Sequence, residues 1–155
     1  MQVCPTKEMT DVPAEPLTDE LLQQLLASAS PEAYLTHAEL PDRTFADYVQ
    51  ALLAEKGISR AKVIKGAGIN VTYGYQIMSG ERHPSRDYVI QLALGLGCDL
   101  RETQRLLRLA GKSELWVKVP RDAIIAYCIE HGMTRVECDD ELYRLGEETL
   151  LDAEE

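Results

Sequence analysis

Three features of the sequence predict an all-α protein. Apolar residues recur at spacings of three and four, and no stretch of any length alternates with period two. Ser, Thr, Asn or Asp opens most of the periodic runs, and glycine closes them. The elements follow in order. Residues 1–17 hold Pro5, Pro13 and Pro16 with little periodicity and read as a mobile arm. Thr18 caps a short helix, "DELLQQLLASAS", whose Leu21, Leu22, Leu25 and Leu26 form one stripe, expected to pack on the body or on a second subunit. Pro31 and Pro41 bracket a helical turn or two. "TFADYVQALLAEKG" runs from Thr44 to a glycine stop at Gly57, with Phe45, Tyr48, Val49, Leu52 and Leu53 at helical spacing. Ser59 caps "RAKVIKGA", which Gly68 ends, and Asn70 caps "VTYGYQIMS", which Gly80 ends. Pro84-Ser85 precedes "RDYVIQLALGLG", and Asp99 with Glu102 makes a capping box for "LRETQRLLRLAG".

The last of these helices are written twice. Laid on residues 121–150, residues 86–115 match at an offset of 35 without gaps. Arg86-Asp87 falls on Arg121-Asp122, Ile90 on Ile125, Gly97 on Gly132 and Leu107 on Leu142. A second capping box, Thr134 to Glu137, falls on the first. Two copies are too few for a solenoid, so the second is read as a helical hairpin that extends the core. "KSELWVKVP" connects them, with Trp116 expected to plug the joint.

Charge is unevenly spread. The total is -10, yet residues 1–43 carry -6, 44–115 carry +3 and 116–155 carry -7. Within 56–86, Lys56, Arg60, Lys62, Lys65, Arg82 and Arg86 stand against Glu81 alone, a local +5. A local field matters more to a polyanion than the sum does. The acidic total argues against promiscuous nucleic-acid binding and confines contact to one face. The start has no apolar signal region, and no apolar run approaches the roughly 20 residues that span a bilayer. Four cysteines without a CxxC pair suit reduced thiols in the cytoplasm. Cys128, His131 and Cys138 lack a fourth ligand, so buried thiols are expected there and no metal. No Ser/His/Asp arrangement, phosphate loop or HExxH argues for catalysis or a cofactor. The acidic stretch "GEETLLDAEE" reads as a solvated end.

The basic segment encloses a helix of suitable character for the DNA major groove, which accepts one α-helix and shows a distinct pattern for each base pair. After Asn70, the residues Val71, Thr72, Tyr75, Gln76 and Ser79 share one face, and Gly74, Ile77 and Met78 share the other. Gln76 can pair bidentately with adenine, and Val71 and the Thr72 methyl can meet a thymine methyl. Arg60 begins the preceding helix, whose free N–H groups also suit an anion.

Residues 45–110 resemble the lambda-repressor-like (Xre-type) helix-turn-helix family. The match rests on Arg60 at a helix start, apolar Val63, Gly68 at the turn, Ile69 after it, Ile77, Gly80, and Pro84-Ser85. "YGYQIMSGERHPSRD" and "ETQRLLRLAGKSEL" further resemble longer helix-turn-helix proteins of gut Firmicutes with a C-terminal helical extension. The resemblance implies a five-helix DNA-binding domain at 44–111, with motif helices at about 60–67 and 71–79, between an acidic N-terminal arm (1–43) and a C-terminal hairpin with an acidic tail (112–155). It implies DNA contacts from Asn70, Thr72 and Gln76, and backbone contacts from the loop holding Arg82 and His83. Arg86 and Ser79 are expected to join Arg60 at the phosphates. The partner implied is double-stranded DNA, bound by a transcriptional regulator that pairs as a homodimer through the leucine stripe or the hairpin. The alternative is a non-catalytic interaction module whose acidic flanks or C-terminal hairpin dock a protein. The chain departs from the family at Gly74, where an aliphatic is usual, at Ile64 for a common Ala, and at Met78 for a common Glu. Tyr73 or Tyr75 is expected to cover the gap at Gly74.

Overall fold

The computed structural model describes residues 18–38, 40 and 43–150; the arm read at 1–17 and the tail residues 151–155 lie outside them. Among the described residues every regular element is a helix, and none is long and apolar enough to cross a membrane. The chain divides into two compact units, Met1–Asp42 and Arg43–Glu155. In the first, α1 (Thr18–Ala27) meets α2 (Pro31–His37), which begins where the Ser30 hydroxyl accepts from the Ala33 N–H. Neither helix buries a residue, and Leu22, Leu25 and Leu26 remain exposed.

The second unit holds α3 (Phe45–Lys56), α4 (Arg60–Ala67), α5 (Val71–Ser79), α6 (Arg86–Leu96), α7 (Leu100–Leu109), α8 (Pro120–Glu130) and α9 (Arg135–Arg144). Side-chain caps set most of the starts. Thr44, Asp99 and Thr134 each close a capping box, and Ser59, Asn70 and Ser85 each accept an N–H of the first turn. Such caps contribute about 1 kcal/mol apiece. The core forms around α6, which buries Val89, Ile90, Gln91, Leu92, Ala93, Leu94 and Leu96 and packs most extensively on α4. That crossing depends on a missing side chain, because a Cβ on Gly95 would lie 2.6 Å from the Val63 carbonyl oxygen.

The sequence repeat is also a repeat of hydrogen bonds. Arg86 Nε donates to Ser113 O, and Arg121 Nε, 35 residues on, donates to Glu148 O. Gln104 Oε1 accepts from the Leu115 N–H at 2.7 Å, and Asp139 Oδ1 accepts from the Leu150 N–H at 2.7 Å. Between the copies the ions are exchanged. Arg86 pairs with Asp122 at 2.8 Å, and Arg121 pairs with Asp87 at 3.1 Å, both as two-pronged guanidinium–carboxylate contacts. Burial raises the Asp122 carboxyl, but hydrogen bonds from Arg86 and the Trp116 N–H, with the charges of Arg86 and Arg121, outweigh it and hold it below the ordinary range. The stabilisation is therefore complete above the unfolded value, near pH 4, and lost as pH falls through the lower folded value. Asp122→Asn is expected to lower stability at pH 7, with the gap from the parent narrowing as the pH falls below about 4 in urea titrations.

Two expectations for this region are corrected. Trp116 does not plug the joint: it is 58% exposed, with Lys118 Nζ over its ring. Gln104 holds both backbone groups of Leu115, so Leu115 turns inward and is the residue buried there. The acidic end is not wholly solvated either, for Leu150 is fully buried and its carbonyl accepts from Gln91 Nε2. Cys98, Cys128 and Cys138 are buried free thiols; burial pushes each upward and keeps it protonated at neutral pH. His131 lies at the surface, stacked on Tyr127.

Candidate nucleic-acid interface

Helices α4 and α5 are joined by Gly68, Ile69 and Asn70. Gly68 has φ of 73°, where a side chain is strained, and its N–H returns to the Ile64 and Lys65 carbonyls. Ile69 is buried, which pins the turn to the core. Asn70 Oδ1 accepts from the Tyr73 N–H at 3.0 Å, so the cap takes its carbonyl and leaves its amide N–H groups exposed for a ligand. One neighbour was missed by sequence reasoning. Arg135, from the start of α9, lies so close that a Cβ on Gly68 would be 2.5 Å from its Nε. The Arg135–Asp139 spacing of four is visible in the sequence, but nothing local says that Arg135 reaches this turn.

On α5 the inward residues are Gly74, Ile77 and Met78. Val71, Thr72 and Ser79 are exposed, and Tyr73, Tyr75 and Gln76 are half-buried. The gap at Gly74 is filled from across the helix pair and not by a tyrosine. Ile64 Cγ1 lies 2.8 Å from where a Gly74 Cβ would stand, and Ile64 is itself buried. Positions 64 and 74 thus make one exchange of volume: a large residue on α4 and none on α5.

At about 100° per residue, Thr72, Gln76 and Ser79 occupy the middle of the outward face, with Tyr75 on one edge and Tyr73 on the other. An arginine stands over each edge. Arg60 lies 5.2 Å from the Tyr75 ring centroid, and Arg82 lies 5.4 Å from that of Tyr73. Tyr73 is held in turn by an edge contact with Tyr88 at 4.8 Å. Each cation–π contact contributes about 0.5–1 kcal/mol at such exposure and orients a flexible cation. The side chains of Thr72 and Gln76 make no hydrogen bond with any described residue, which leaves their polar atoms available.

The loop after α5 is ordered by the Arg82 N–H, which donates to the Gln76 carbonyl. Ser79 Oγ donates to the same carbonyl at 3.2 Å, so it is partly committed. His83 and Lys62 and Lys65 of α4 are exposed. Arg86 is a correction to the phosphate set. Four of its five N–H donors go to Ser113 O, Glu114 O and the Asp122 carboxylate, so it holds the hairpins together. No protein-family model, curated protein or solved structure matches the chain.

Proposed function

We propose that α3 to α7 form a five-helix lambda-repressor-like domain, and that the protein is a cytoplasmic, sequence-specific DNA-binding regulator of transcription. In this reading α4 and α5 are the helix-turn-helix, and α5 enters the major groove. The observation that carries it is the outward strip of Thr72, Gln76 and Ser79 between two tyrosine-mounted guanidinium groups, Arg60 and Arg82. Thr72 and Gln76 offer adaptable donors and acceptors to base edges, and the flanking guanidinium groups, with Ser79, suit contacts to phosphates on either side. Of the local +5, Arg86 is paired with Asp122 and Lys56 with Glu102, so Arg60, Lys62, Lys65 and Arg82 against Glu81 leave a local +3 for long-range attraction, while acidic segments at 1–43 and 116–155 disfavour contact elsewhere. The chemistry is binding alone.

The test is selection from a random duplex library with the full chain, then titration of the enriched duplex against salt. Arg82→Ala is expected to weaken all sequences alike and to lower the salt slope by about 1. Gln76→Ala is expected to relax preference at one base pair by about 1–3 kcal/mol. Absence of any retained duplex at low salt would overturn the reading.

A further inference from the structure

The exchange of ions between the two hairpins has a consequence for what the chain can bind. In a two-fold interface residue i meets residue j and j meets i, because one operation maps each copy on the other. The copies at 86–115 and 121–150 meet in that manner: Arg86 to Asp122, and Arg121 back to Asp87. A repeat stacked by translation would instead send Arg121 onward to a third copy. The arrangement is closed, and both partners belong to one chain.

Only one copy carries a reading unit. The absent Cβ of Gly95 admits the α4 backbone, and Leu92 and Leu96, three residues before it and one after, are buried and share its side of α6 by helical period. Their counterparts at the offset of 35 are Tyr127, Glu130 and His131, all exposed. Glu130 puts a charged side chain where α4 would need a glycine, and Tyr127 stacks on His131 over the same ground. No equivalent of α4 and α5 can lie on the second hairpin as the first pair does on α6.

We propose that the contact of α6–α7 with α8–α9 is a dimer interface taken into a single chain, and that the protein takes a duplex site without two-fold symmetry, one copy per site. The hairpin that would pair with a second copy already has its partner. The interface half stands on the fold alone; the duplex half rests on the DNA-binding reading.

The experiment has two arms on the full chain. In the first, Arg86→Asp and Asp122→Arg are made singly and together, and unfolding is followed over a hundredfold range of concentration. Each single change is expected to lower the midpoint. The double variant regains part of the loss in one chain, at a midpoint independent of concentration, and an equimolar mixture of the single variants regains nothing. Rescue by mixing, or a midpoint that rises with concentration, means that hairpins are traded between chains and overturns the interface. In the second arm, the motif from random-duplex selection is read for symmetry, and the mass of its complex is measured by light scattering. A non-palindromic motif with one copy bound supports the proposal; a palindrome holding two copies, through the α1 leucines or otherwise, overturns the duplex half. If no duplex is retained while the first arm behaves as expected, the DNA reading and the duplex half fall together and the internal interface stands.

Discussion

Ile64→Ala is expected to lower stability by about 2–5 kcal/mol, and Gly74→Leu by about 1–3 kcal/mol, while the two together cost less than their sum. Ile64 is fully buried and reaches into the place that Gly74 leaves open, its Cγ1, Cδ1 and Cγ2 all within 3.1 Å of a would-be Cβ. Truncating it opens a cavity between α4 and α5. Adding a leucine at 74 alone forces two side chains into one volume, and this outweighs the roughly 1 kcal/mol of helix propensity that glycine forfeits. Combined, the leucine occupies the space the isoleucine vacates. Urea denaturation of the four proteins gives the coupling, expected at about 0.5–3 kcal/mol in favour of the double variant. Strict additivity would mean that the two positions do not share one volume. The same variants probe the proposed function, because Ile64 and Gly74 meet where α4 packs on α5.

That exchange shows where sequence reasoning reaches and where it stops. Helix starts and stops were legible because they are local: Ser59, Asn70 and Asp99 each bond an N–H three residues on, and Gly57, Gly68 and Gly80 each take a left-handed conformation. The inward and outward sides of α5 were legible from period alone. Which residue fills a gap across a helix pair is not local, so chain proximity points to Tyr73 or Tyr75 where the structure uses Ile64. Arg86 was misassigned for a similar reason. Its neighbours in sequence are the basic loop, but its partners Ser113, Glu114 and Asp122 lie 27 to 36 residues away. The offset of 35 was visible in the residues, yet equal spacing does not separate a stacked repeat from a closed pair. Trp116 illustrates the same limit, since a large apolar side chain suggests burial but the hydrogen bonds of Leu115 decide which side of the connector faces in.

Asp139→Ala is expected to cost about 3–5 kcal/mol and, on the proposed DNA-binding function, also to weaken binding to every duplex, although Asp139 is far along the chain from the outward strip of α5. Asp139 is buried and answers two groups, accepting from Arg135 Nη1 at 3.2 Å and from the Leu150 N–H at 2.7 Å. Removing it leaves a mostly buried guanidinium, whose Nε already has no partner, beside a buried N–H with no acceptor. Arg135 is the side chain that lies against Gly68, so its displacement loosens the turn that sets α5 on α4. The effect on binding should be uniform across sequences, because no base-facing group is changed, whereas Gln76→Ala alters preference. Asp139→Asn keeps an oxygen for Leu150 but loses the charge opposite Arg135, and is expected to fall between the parent and Asp139→Ala in thermal melts. Binding is compared at a temperature where all three proteins are folded. If Asp139→Ala melted as the mid-point demands but bound DNA like the parent, the second hairpin would stabilise the fold without steering the reading helix. The contact of Arg135 with the turn argues for the coupled outcome.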